Sequence, residues 1–168
     1  MVREYRTVYG AVEPLTGEFF YRIEPPKPNP ERQKVGRPKE GAGKEKKEPK
    51  EKGAKSRHMN EFMRLLCEAY PNDYIFLVCD NAWWHKSQYT KVPERMTLLF
   101  IPPYTPEMNP IEQIWRELRT RGFTNKYFKT IEAVEENIRL TIAALPTETI
   151  QSITQRDWIM EIVKPKLS

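Results

Sequence analysis

"YIFLVCD", Tyr74 to Asp80, sets six apolar or aromatic residues in a row before an acid. Its length, its lack of alternation and its β-branched and aromatic content predict a strand covered on both faces, as in a sheet flanked by helices. A second such run, "MTLLFI", spans Met96 to Ile101. Upstream, "RHMNEFMRLLCEAY", Arg57 to Tyr70, places Met59, Phe62, Met63, Leu66 and Tyr70 at helical spacing. Further upstream, "YRTVYGAV" and "GEFFYRI" flank the Pro/Gly turn "EPLTGE" and read as a hairpin. Downstream, "PPYTPEMNP" leads into a helix with Asn109 as N-cap, Pro110 at the first position and Glu112 at the third. Ile111, Ile114, Trp115 and Leu118 form its apolar stripe, and Gly122 is expected to stop it. A further helix, about Thr130 to Leu145, carries Ile131, Val134, Ile138, Ile142 and Leu145 on one face; the tail from Thr147 to Val163 is also read as helical. Hairpin, helix, strand, strand, helix, helix is the order of an α/β layered domain.

The 168 residues suffice for one domain with a real core. No apolar run reaches about 18 residues and no signal pattern opens the chain, so a cytoplasmic protein is expected, without a membrane partner. Cys67 and Cys79 each sit in an apolar stretch, outside any CxxC pair, and read as buried, reduced thiols rather than zinc ligands or a disulfide. The net charge of +5 is concentrated. Between Pro25 and Arg57 stand twelve Lys/Arg against five Glu, leaving 16 basic and 18 acidic residues elsewhere. That segment has no aromatic residue and only Val35 as a branched apolar one, so it cannot bury enough surface to offset the entropy of ordering. It reads as a disordered insertion, either a solvated spacer or an electrostatic contact for phosphate. The organisation expected is hairpin at 1–24, basic insertion at 25–57 and the rest of the domain at 58–168.

Asp80 stands where its strand runs out, and the carboxyl ends of strands are where ligands bind in open α/β sheets. It could be a metal ligand or general base, or merely cap the next turn. Glu112 fits a capping box, reaching back to the N-cap amide. Against capping alone stands the preceding loop, whose four prolines in nine residues fix the helix start more rigidly than a cap requires. His58 and His85 read as structural or exposed, because no nucleophile and orienting acid complete a triad. Trp83 and Trp84 are candidates for base stacking or for core burial.

Together "LVCDNAWWHKS" and "LLFIPPYTPEMNPIEQIWRELR" resemble the C-terminal half of the catalytic domain of mariner-like DDE transposases, particularly their bacterial insertion-sequence branch. There Asp-Asn-x-x-x-His-Lys and Pro-Pro-Tyr-x-Pro-x-x-Asn-Pro-Ile-Glu-x-x-Trp surround the second and third catalytic acids. Here Asp80 and Glu112 are separated by 31 residues, a few fewer than is usual. "YGAVEPLTGEFF" resembles the family's second and third strands.

The resemblance implies a ribonuclease H-like fold, with Asp80 and Glu112 as catalytic, metal-binding acids. It implies two magnesium (or manganese) ions, which suit carboxylate oxygens and can activate a water or 3′-hydroxyl. Asn81, His85, Lys86 and Asn109 would support the acids or contact DNA. The implied partners are transposon-end and target DNA, the N-terminal transposase polypeptide and a second copy in a homodimer.

The first catalytic Asp that the resemblance implies, on a central strand before "YGAV", has no candidate. Glu4 and Glu13 flank the hairpin strand, and Asp73 precedes the strand already bearing Asp80. The expectation is a catalytic-domain segment lacking its first central strand and inactive alone. The alternatives are a non-catalytic nucleic-acid-binding module using the basic segment and a stand-alone ribonuclease H-like nuclease with a replacement acid.

Overall fold

The structure is a computed structural model that describes residues 6–24, 54–80 and 89–163. Most of the basic insertion, together with Asn81, Trp83, Trp84, His85 and Lys86, lies outside the described residues.

The hairpin forms as its sequence predicts. Strands β1 (Val8–Val12) and β2 (Phe19–Ile23) pair antiparallel, Val8 opposite Ile23 and Val12 opposite Phe19. Gly17, at φ 75°, closes the turn by donating its N–H to Glu13 O at 2.8 Å. Side chains alternate across the pleat. Tyr9, Ala11 and Phe20 face one core cluster; Val12 and Phe19 face another.

Helix α1 (Ala54–Ala69) covers the first face. It begins three residues before Arg57, inside the stretch expected to be insertion. Ala, Lys and Arg favour helix, and Ser56 in this added stretch is buried. Met59, Phe62, Met63, Leu66 and Cys67 form the core with Cys79 and Met96, and the Phe62 ring lies 5.8 Å from Tyr9 and 5.6 Å from Phe20. Arg95 closes the far end of α1. Its guanidinium donates to the carbonyls of Cys67 (3.0 Å), Tyr70 (3.2 Å) and Asp73 (3.2 Å), and also to that of Pro71.

Strands β3 (Ile75–Cys79) and β4 (Met96–Phe100) pair parallel, Ile75 opposite Met96 and Cys79 opposite Phe100. Ile75, Leu77, Met96 and Leu98 pack toward α1. The expectation that "YIFLVC" is covered on both faces fails among the described residues: Tyr74 is 54% exposed and Phe76 62%. The reason is where the next helices go, for they pack on the hairpin instead. The described strands accordingly make two separate two-stranded sheets, joined through α1 rather than through a continuous ladder.

Helices α2 (Ile111–Phe123), α3 (Ile131–Ala143), α4 (Thr147–Thr154) and α5 (Asp157–Val163) follow. Ile114, Leu118, Leu145 and Ile150 form the second core against Val12, Phe19 and Trp115. Gly10 admits the Trp115 indole, since a Cβ there would lie 2.8 Å from both Trp115 Cη2 and Phe19 Cε2. Gly122 does not stop α2, which runs one residue further; it lets α3 approach, for a Cβ would meet Thr141 Oγ1 at 2.7 Å. Thr130 caps α3, accepting from Ala133 N at 3.2 Å. The predicted α3 stripe is half-buried except for Leu145, which is buried, and the tail read as helical forms two helices with a break at Gln155 and Arg156. Helix α4 seals the hairpin turn, with Gln151 Nε2 donating to Leu15 O and Gln155 Nε2 to Pro14 O.

Candidate active site

Asp80 follows the last residue of β3 and is exposed, as a ligand-binding residue at a strand's carboxyl end would be. Ile101 N donates to Cys79 O at 3.0 Å, which carries the parallel ladder one step past β4 and sets the start of the proline loop beside the Asp80 backbone. The Cys79 thiol is pushed up to about 12, first by burial and then by the negative charge of Asp80. It is an inert core thiol, and Cys67 is likewise buried and free.

From Pro102 the chain turns through a tight loop. Thr105 Oγ1 donates to Pro102 O at 2.6 Å, Met108 N to Thr105 O at 3.0 Å, and Pro106–Met108 form one turn of 3-10 helix. Tyr104 takes φ 63°, a conformation L residues rarely adopt. Pro110 has helical torsions, φ −57° and ψ −33°, although the regular helix begins at Ile111. Asn109 acts as the cap in the predicted way, but weakly: its Oδ1 accepts from Ile111 N at 3.4 Å, and its carbonyl accepts from Glu112 N at 3.1 Å.

Glu112 lies in this first turn, half-buried. Its side chain does not complete a capping box and has no hydrogen-bond or ion-pair partner among the described residues. The reciprocal cap bond is therefore not formed, while the carboxylate still places a favourable negative charge in the first turn of the helix. Asp80 and Glu112 end up at the carboxyl end of a strand and the amino end of a helix, linked by β4 and the proline loop; Asn81, His85 and Lys86 are outside the described residues.

Oxygen donors of this kind suit a hard divalent cation. Among the described residues, however, no three His, Cys, Asp or Glu side chains come together to hold a metal ion. The described donors match such an ion in kind but fall short in number.

A charged cluster that the sequence reading passed over joins β2 to α1. Glu24, 5% exposed, lies 2.9 Å through Oε2 from His58 Nδ1. Its Oε1 stands 3.0 Å from Arg22 Nε, close enough for an ion pair but misaligned for a hydrogen bond. Arg22 Nη1 also donates to Glu61 at 3.2 Å. His58 is thus structural, as one of its sequence readings held; the only sequence signal for its partner was an acid at the end of the second hairpin strand.

The family described as DDE superfamily endonuclease matches residues 42–135, more than half of the chain and inclusive of both acids. A relative in Sinorhizobium fredii (strain NBRC 101917 / NGR234), "Uncharacterized protein y4pE/y4sA", is 33% identical over 87 residues, 51% of this chain. The chain spans 64% of that relative's length. No solved structure matches. The mixed α/β layering and the motif resemblance agree with this match, whose fold is the ribonuclease H-like one: the chain belongs to the DDE superfamily endonucleases.

Proposed function

We propose that this chain is the C-terminal part of the catalytic domain of a mariner-like transposase of the insertion-sequence kind, which cuts and joins DNA strands at transposon ends in the bacterial cytoplasm. The supporting observation is the position of the two acids inside the family match: Asp80 at the end of β3, and Glu112 in the first turn of α2 without the cap interaction that would have explained it. In this reading Asp80 and Glu112 are two of three catalytic carboxylates, Asn109 sets the start of α2, and Asn81, His85 and Lys86 support the acids or contact phosphate. The remaining carboxylate comes from the N-terminal transposase polypeptide. Its strand would pair with an edge that β1 or β3 leaves unpaired among the described residues. Magnesium or manganese, held by the completed set, would supply charge stabilisation at the phosphodiester.

A plasmid-nicking assay tests this. The 168-residue chain alone is expected not to nick DNA with Mg²⁺ or Mn²⁺. Co-expressed with the polypeptide encoded just upstream, it is expected to nick, and Asp80→Asn or Glu112→Gln should each lower the rate by at least about 100-fold, as losing one member of an interdependent catalytic set does. Robust nicking by the isolated chain, abolished by Asp80→Ala, would refute the requirement for a second polypeptide. Nicking by the pair that survives both substitutions would refute the site.

A further inference from the structure

Tyr104 is the most exposed large hydrophobic side chain among the described residues, at 98%, and its backbone sits at φ 63°. Neither property is cheap: an aromatic ring left wholly in water forgoes burial, and a bulky L residue at positive φ crowds its own carbonyl. Glycine would serve the turn better. The surroundings nevertheless hold this geometry firmly. Pro102 and Pro103 restrict the chain before it, and the Thr105 hydroxyl ties back to Pro102 O at 2.6 Å. A residue held in an unfavourable conformation by an over-determined loop is a candidate for a function outside the fold.

The loop's position and chemistry say which function. It leaves the end of β4 beside the Asp80 backbone and delivers the chain to Glu112. From Pro102 to Asn109 it carries no Lys, Arg or His and one Glu, so it offers a phosphate no positive side chain. What it offers is ring surface, from exposed Pro102 and Pro103 and from Tyr104. Aromatic rings bind nucleic acid through the faces of its bases, a contact that every base accepts. We infer that Tyr104 is a DNA-positioning residue that stacks on a nucleobase next to the strand held at Asp80 and Glu112. This inference rests on the DDE endonuclease reading of the same site.

The test uses the full chain and single-stranded oligonucleotides carrying 2-aminopurine at successive positions. Wild type should quench the fluorescence of one position on binding. Tyr104→Gly should lower affinity by roughly 5- to 150-fold, the range that base stacking on an aromatic supports, and abolish that quenching. It should leave the slope of affinity against salt unchanged, because no phosphate contact is lost. Its thermal midpoint should stay level or rise by roughly 1–4 °C, since glycine relieves the positive φ. Tyr104→Phe should keep both affinity and quenching. If Tyr104→Gly binds as wild type does, or changes self-association alone, the inference is wrong while the endonuclease reading stands. If wild type binds no DNA at all, alone or with its upstream polypeptide, the endonuclease reading fails and takes this inference with it.

Discussion

Cys79 and Asp80 are neighbours in sequence and opposites in environment. The thiol is buried against α1, the carboxylate exposed past the strand end. Burial raises the Cys79 thiol from 9.0 to about 12, with the Asp80 charge adding to it. The folded state therefore keeps a proton that the unfolded chain releases, so stability is full below about pH 9 and falls as pH rises through 12. Tyr9, raised by burial and then by Glu24, and Tyr70, raised by burial and then by its bond to Glu18, act in the same direction at alkaline pH. Cys79→Ala is expected to flatten the decline of urea midpoint between pH 9 and pH 10.5 without removing it; an unchanged slope would show that the thiol plays no part. At this scale the sequence was legible where a pattern ended abruptly, as at Asp80. It was ambiguous at Glu112, where Asn-Pro-Ile-Glu satisfies both a cap and a catalytic motif, and a cap bond is a matter of geometry that the residue types do not fix.

Helical spacing located α1 and α2, and apolar runs with turn residues located the strands, but these patterns could not say how far each element runs or what lies on its far side. The "YIFLVC" run reads the same whether Phe76 is covered or open, because an apolar residue carries no record of its neighbour. Gly122 likewise reads as a stop in sequence and serves as a contact with α3 in space. The end of α1 is held by a residue far from it in sequence: Arg95 satisfies carbonyls that a terminating helix leaves without partners. Arg95→Lys keeps the charge but loses the planar fork that reaches Cys67 O, Tyr70 O and Asp73 O together. It should cost about 1–2 kcal/mol in urea unfolding. A loss indistinguishable from zero would mean that water replaces the fork at no cost.

Over the whole molecule α1 is the common floor of two sheets that do not pair with each other. Met63, with no exposure, sits in the cluster that both sheets share. Met63→Ala should destabilise by about 2–5 kcal/mol, as large-to-small changes in a packed core do. Its signature should be faster hydrogen exchange in β1–β2 and β3–β4 together; loss of protection in one pair alone would show that the two sheets are independently stable. The layered class was legible from the order of elements. The division of the described strands into two sheets agrees with the expectation of a segment lacking its first central strand.

The seal between α4 and the hairpin turn has a consequence for synthesis. Gln151 reaches Leu15 across 136 residues, and Gln155 reaches Pro14 across 141. At the usual pace of translation, roughly 5–20 residues per second, the hairpin leaves the ribosome roughly 7–27 s before the helix that closes over it. Val12 and Phe19 have no helix to rest on until α2 follows, and the hairpin turn stays unsealed until α4 does. The hairpin strands, made well before α4, are among the last to be finished, and ribosome stalling before α4 is made would lengthen the time for which they need a chaperone.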